Sequence, residues 1–339
     1  MIRSKDIAAI VGVSRQAVTA VLNNSRPNCV SPEKREAILK VASEHQYQPN
    51  QAAVALKTGK SRLIGVIMPP WRNPYIAELC MAIQSGLAEK NYTPVFAIDN
   101  NFNPVPGNLR DLLSLNITGL ITVAASLLPD DVRIPVVSYF HKDPRFDAVS
   151  IDADQDSRLI MEHLKARGHR KIGFLGTFRL PRYESLVRTA AEYGLEFPER
   201  WHVNLDDLTS PADSFDLLLE RNRGLELPSA LILFNDDFAI PIMRRIHERG
   251  YRIPQDFSVI GHDDIGFSAN TVPALTTIRF GSPDEIASAL IRLLLKRIRE
   301  PDRPREVTIL KSVLIERESV SNKVSAFAEA TAGQVRDER

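Results

Sequence analysis

Two kinds of hydrophobic periodicity divide the chain. Up to about residue 46, apolar positions recur at helical spacing with no strand-like alternation, as in Ile7, Ala8 and Val11 and then Val18, Val21 and Leu22. From residue 61 onward the pattern changes. Short apolar runs rich in β-branched residues appear at Leu63–Met68, Pro94–Ile98, Gly119–Val123, Pro135–Tyr139, Lys171–Leu175, Ala230–Phe234 and Phe257–Gly261. Many are separated by helix-period segments, including Tyr75–Lys90, Asp154–Arg167, Phe238–Arg249 and Asp284–Arg299. Strands that alternate with helices predict a parallel, doubly wound sheet. The segment is longer than one such sheet needs, so the expectation is an α/β core of two doubly wound lobes behind an all-α N-terminal domain.

Within the first domain, Ser14 is a good N-cap, and Gly12-Val13 make a tight turn just before it. On a helix from Ser14 to Leu22, the 100° step puts Ala17, Val18, Val21 and Leu22 on one side. Arg15, Gln16, Thr19 and Ala20 fall on the other. The apolar side would pack on the first helix, leaving Arg and Gln free in the first turn. Those side chains can pair with guanine and adenine edges in a major groove, where a recognition helix places its N-terminal residues. Ser31-Pro32 predicts the start of a third helix. The same pattern also fits a plain three-helix bundle with a polar face.

Residues 49–60 bear on that choice. Pro49 breaks the chain, Asn50 can cap, and Gln51–Lys57 has helical composition until Gly59. About two turns of helix are unstable alone in water. Docking on the core would stabilise them. So would pairing with a two-fold mate in a minor groove, with Leu56 as a wedge between bases and Lys57 beside it.

Net charge is +1 overall, yet residues 1–60 hold nine Lys/Arg against four acids, which leaves −4 on the remainder. A basic head on an acidic core points to a polyanionic partner for the head alone. No apolar run is long enough for a membrane span, and Met1–Asp6 begins no signal peptide, so the expected location is cytoplasmic. Cys29 and Cys80 lie far apart and outside any CxxC spacing, which argues against a disulfide framework or a zinc site. No GxGxxG, P-loop or nucleophile–base pair suggests an enzyme or a cofactor. Asp236-Asp237 and Asp263-Asp264 invite a metal reading, but one acid of each pair is expected to cap a backbone amide.

Several segments together resemble the lactose-repressor (LacI/GalR) family of bacterial transcriptional regulators. They include Lys5-Asp6-Ile7-Ala8, Gly12-Val13-Ser14, Val18–Asn23, Tyr47–Asn50, Asn73-Pro74-Tyr75 and Arg167–Gly173. Asn235–Ala239, Ile253–Asp264 and Pro273–Ile278 complete the set, from about Arg3 to Val320. The resemblance implies a homodimer on a palindromic operator, with a small effector between two lobes joined by three crossovers. It gives a head at 1–48, a hinge helix at 49–60 and a core at 61–320, and the polar, Ala-rich stretch at 321–339 reads as a disordered tail. Ser14, Arg15, Gln16, Thr19, Ala20, Leu56 and Lys57 would then meet DNA.

For the effector, the resemblance assigns Arg182, Asn235 and Asp263, and Asn73 and Tyr75 would meet it from the opposite lobe. Trp71 and Tyr75 are aromatic faces that could stack on a sugar or simply pack. The chain departs from the family at Phe140, where a pocket Asp is common, and at Phe280, where Gln is common. Both would narrow the pocket or pack. Ala20 stands where Arg is usual, and His262 stands where an aromatic is common, with packing as its expected role. The implied partner is a small polar metabolite, a sugar or sugar derivative ahead of a nucleobase. An exported sugar-binding protein and an effector-free architectural DNA binder are the rival classes. The first conflicts with the basic head and the second with the large cleft-forming core.

Overall fold

A computed structural model of the chain describes residues 2–22, 29–47, 61–99, 105, 107–140 and 143–324. The expected hinge, with Leu56 and Lys57, lies outside the described residues. The head is three helices, α1 (Ser4–Val11), α2 (Arg15–Leu22) and α3 (Pro32–Glu44). Ile7, Ala8, Val18, Val21, Ile38 and Ala42 form its core. Gly12 ends α1 in the left-handed conformation (φ 68°), and its N–H returns to the Ala8 carbonyl. Two residues later Ser14 Oγ accepts from Ala17 N at 3.1 Å, so one helix stops and the next is capped within a single turn. Lys34 Nζ donates to the Gly12 carbonyl at 2.9 Å and ties α3 to that turn.

The core contains two six-stranded sheets. The first has the order β11-β5-β4-β3-β1-β2, all parallel, built from β1 (Leu63–Met68), β2 (Thr93–Ile98), β3 (Gly119–Thr122), β4 (Val136–Tyr139), β5 (Asp147–Ile151) and β11 (Val307–Leu310). The second has the order β12-β10-β9-β8-β6-β7, built from β6 (Ile172–Gly176), β7 (His202–Asn204), β8 (Ala230–Leu233), β9 (Ser258–His262), β10 (Thr276–Arg279) and β12 (Val313–Ile315). Only β12 runs antiparallel in it. The helices are α4 (Pro74–Glu89), α5 (Asn108–Ser114), α6 (Ala153–Ala166), α7 (Pro181–Glu192), α8 (Asp213–Arg221), α9 (Asp236–Glu248) and α10 (Pro283–Arg299).

The chain passes between lobes three times, after β5, after β10 and after β11. The second passage leads into α10, which starts at a Ser282/Glu285 capping box and packs on α4 in the first lobe. The expected tail boundary needs correction. Ser321 N donates to Ser258 Oγ at 2.9 Å and Lys323 N to the Arg167 carbonyl at 2.7 Å, so residues 321–324 are anchored to the second lobe. Residues 325–339 lie outside the described residues.

The last strand of the first sheet depends on a buried charge cluster. Asp147, fully buried at the start of β5, accepts from Arg297 Nη2 at 3.0 Å, from Arg303 Nη2 at 2.6 Å and from Glu306 N at 2.7 Å. These bonds fix α10 and the loop into β11 against β5. Removing the acid would strand two guanidinium groups that are mostly buried. Asp147→Ala should therefore cost about 3–5 kcal/mol in urea unfolding. A loss below about 1 kcal/mol would mean that the cluster does not hold the strand.

Candidate functional site

In the head, Arg15, Gln16 and Thr19 are exposed on α2, as the helical wheel predicts. Arg15 Nε donates to Ser4 Oγ at 3.2 Å, and Thr19 Oγ1 donates to the Arg15 carbonyl at 3.0 Å. Ser14 is exposed at the helix start with its hydroxyl used as the cap. Ala20 is a correction. It is buried, because it borders the Ala17 edge of the apolar face and its single methyl group is too short to reach outward.

A cleft of about 780 Å³ in the core is bounded by both lobes. Its position follows from the fold, since ligands in open α/β sheets collect beyond the carboxyl ends of the strands. Asn73 caps α4 after β1, with Oδ1 accepting from Tyr75 N at 2.9 Å, and so faces the cleft at the end of the first strand. Asn235 follows β8 and caps α9, accepting from Phe238 N at 2.9 Å. Arg182 lies in the first turn of α7. Its Nη2 donates to the Phe234 carbonyl at 2.5 Å, and its guanidinium stands 5.3 Å from the Phe234 ring centroid. Asp263 follows β9, and Asn73 Nδ2 donates to its Oδ2 at 2.9 Å across the cleft. The sequence expectation that these four residues converge on one crevice agrees with this geometry.

Two cleft residues adopt left-handed backbone conformations, Phe140 (φ 66°) after β4 and Asp263 (φ 110°) after β9. Such positions cost on the order of 1–3 kcal/mol and need surrounding support. Backbone bonds supply it, from Phe140 N to the Val149 carbonyl at 3.1 Å and from Asp263 N to the Ile278 carbonyl at 2.8 Å. Phe140 stacks on Tyr139, and Phe280 packs edge-on against both Tyr75 and Phe140. Phe140, Phe280 and Tyr75 all line the cleft and form its aromatic wall. Tyr75 and Tyr139 share a hydrogen bond through their hydroxyls, and burial pushes both phenols well above their ordinary range. Trp71 is a second correction. It is exposed in the turn at Trp71-Arg72 and packs edge-on against Phe96, outside the cleft lining.

The structure adds groups that pattern reading did not single out for the site. Asp152, Asp154, Asp237 and His262 also line the cleft. Asp152 caps α6, and Asp154 takes Ser185 Oγ at 2.5 Å and pairs with Arg188. With Asp263 they outnumber the two lining guanidinium groups, Arg72 and Arg182. Asp237, raised by burial and by neighbouring Asp263, makes no ion pair among the described residues. Strand ends carrying consecutive acids were the available signal. His262 sat in a segment where the family pattern suggested only packing.

Sequence and structure comparisons identify the family and the fold. Residues 5–50 match the model described as bacterial regulatory proteins, lacI family, and residues 161–320 match a periplasmic binding protein-like domain. Among curated relatives, the HTH-type transcriptional repressor PurR of Mannheimia succiniciproducens is 29% identical, covering 93% of this chain and 98% of the relative. The protein of the same name from Haemophilus influenzae is 28% identical over 88% of this chain and 91% of its own. The chain belongs to the lacI family of bacterial regulatory proteins. The lac repressor dimer bound to operator and the anti-inducer ONPF shares the fold, with a TM-score of 0.77 at 24% identity, covering 94% of this chain and 99% of that one. A lacI-type regulator from Alkaliphilus metalliredigens, solved with D-xylulofuranose, matches at TM-score 0.64 and 25% identity, covering 77% of this chain and 99% of its own. This lacI-family chain is a ligand-responsive DNA-binding transcriptional repressor and not an enzyme. No described helix is long and apolar enough to cross a membrane.

Behind the cleft, Asp236 is fully buried at the start of α9. It accepts from Thr277 Oγ1 at 2.7 Å, Ser268 Oγ at 2.5 Å and Ile265 N at 3.2 Å. The last of these is the backbone-amide capping expected of one acid in that pair. Gly261 on β9 leaves it room, since a Cβ there would collide with the carboxylate. Burial, then repulsion from Asp263, pushes Asp236 up to about 6 from an ordinary 3.8. The native state therefore holds this proton more tightly than the unfolded chain. The resulting stabilisation is complete below about pH 4 and is lost as pH rises through about 6, a swing of about 3 kcal/mol. Asp236→Asn should flatten the stability profile over that window relative to wild type. Parallel urea-unfolding profiles of the two proteins would contradict the assignment.

Proposed function

We propose that this repressor binds a two-fold symmetric operator as a homodimer in the cytoplasm and responds to a neutral sugar or sugar derivative held in the cleft. The observation that carries the ligand class is the charge of the lining. Four carboxylates against two guanidinium groups disfavour a phosphorylated or acidic ligand. Asp237 and Asp263 offer acceptors for hydroxyl protons, Arg182 and the Asn73 and Asn235 amides are donors, and the Tyr75–Phe140–Phe280 wall suits the C–H face of a pyranose or furanose. The neighbour solved with D-xylulofuranose supports the same class. A nucleobase is the second reading, favoured by that aromatic wall, on which a flat heterocycle would stack.

Asn73 and Tyr75 belong to one lobe, and Arg182, Asn235 and Asp263 to the other. A ligand gripped by both favours the arrangement in which they are close, and this differential affinity is what an allosteric response requires. Arg182→Ala and Asp263→Ala proteins should keep operator binding and lose the ligand response. Calorimetry of a sugar panel and a nucleobase panel against all three proteins checks this. Wild-type affinity in both variants would place the site elsewhere.

One recognition helix per chain predicts two half-sites about one DNA turn apart. Arg15 is exposed in the first turn of α2, where a bidentate contact to a guanine forms. Arg15→Ala should weaken operator binding by about 1–3 kcal/mol and relax preference at one base pair of each half-site. Selection from random duplexes that returned the wild-type consensus for Arg15→Ala would remove Arg15 from the base-reading set.

A further inference from the structure

His262 ends β9 at the cleft and is almost fully buried. The family resemblance leads to an aromatic packing residue there, but an imidazole carries two nitrogens that burial makes expensive to leave unpaired. Nε2 lies 3.1 Å from Oδ2 of Asp156, which is fully buried on α6. A carboxylate accepts, so Nε2 carries the proton, and this bond sets the tautomer. Nδ1 is left as an acceptor. It is buried, makes no hydrogen bond among the described residues, and stands 3.5 Å from Oδ1 of Asp263. Phe280 lies over the ring at a centroid separation of 5.0 Å and restricts its rotation.

Charged groups reach this place from several elements. Asp156 comes from α6, Asp236 and Asp237 from α9, and Asp263 follows the histidine itself. Arg182, from α7, is attracted to Asp263, Asp156 and Asp236. A guanidinium is therefore already present to offset the acids. His262 and Asp263 both line the cleft, and their neighbouring acceptors, Nδ1 and Oδ1, then have no donor between them. A single hydroxyl gives its one proton to only one of them. The two hydroxyls of a vicinal diol, whose oxygens stand about one hydrogen-bond length apart, serve both.

We infer that His262 is a specificity-determining ligand contact. Its Nδ1 accepts from one hydroxyl of a vicinal diol while Asp263 accepts from the adjacent one, and Asp156 is the positioning residue that fixes the ring. The diol assignment rests on the sugar reading of the cleft, whereas the tautomer does not. Imidazole nitrogen chemical shifts of the full chain at about pH 8, above the ordinary titration range of histidine, test the tautomer. Comparison with His262→Gln assigns the signal. A proton on Nε2 and none on Nδ1 is the expected state. An Nδ1–H tautomer, or a ring protonated at both nitrogens, overturns the inference.

The contact itself is tested by calorimetry of neutral pentoses and hexoses, each beside its monodeoxy forms, on wild type and His262→Phe. Loss of one particular hydroxyl should cost about tenfold in affinity with wild type and much less with His262→Phe. A bound sugar whose deoxy forms are discriminated equally by both proteins overturns the diol contact. If no sugar binds while the tautomer is as expected, the sugar reading fails and the diol assignment falls with it.

Discussion

Every passage of the core chain from one lobe to the other leaves from the carboxyl end of a strand. The exits follow β5, β10 and β11, at residues 151–152, 280–282 and 311–312. The parallel strands of both sheets thereby turn their carboxyl ends toward the same crevice, and the linking residues become part of its wall. Ile151, Asp152 and Phe280 line the cleft for this reason. Residues that follow other strands, Asn73, Phe140, Asn235 and Asp263, converge there without any contact between them in sequence.

The same constraint makes the cleft a junction and not merely a pocket. Asn73 and Asp263 are bonded across it. Behind Asp263, the Asp236 carboxylate holds Ile265 N and Ser268 Oγ, and Ile265 is buried in the hydrophobic cluster of the opposite lobe. A ligand that touches Asp263 therefore acts on a residue that itself bonds across the cleft, and one that touches Asn235 acts next to the acid that holds the Ile265 segment. Buried polar groups of this kind have few alternative arrangements, because each lost partner is costly. That is the physical basis on which binding can select one relation of the lobes over another.

Much of this is legible in the sequence. Runs such as Leu63–Met68 and Phe257–Gly261 are buried on both faces and therefore continuously apolar, which made them visible as strands. Strands β5, β7, β10, β11 and β12 are not among those runs. β5 opens with Asp147, β7 and β12 are three residues long, and β10 and β11 are four, too short for a periodic signal. Their places are set by tertiary pairing and, for β5, by a buried ion cluster. The convergence of Arg182, Asn235 and Asp263 followed from strand ends and family pattern. Trp71 did not follow, because no periodicity reports which way a loop turns. Ala20 was misplaced by a wheel that assigns a direction but ignores how far a methyl group reaches. His262 looked like packing because its partner, Asp156, is 106 residues away.

The central claim is that a ligand in the cleft changes the relation of the two lobes. Spin labels at Trp71→Cys in the first lobe and Glu184→Cys in the second, both exposed positions near the cleft, report that relation directly. The background should be Cys29→Ser, since Cys29 is exposed and Cys80 is buried. With the ligand that calorimetry identifies at saturation, the distance distribution should shift and narrow. The Asp263→Ala background should show no such change. An unchanged distribution in a protein whose cleft is saturated would contradict the account.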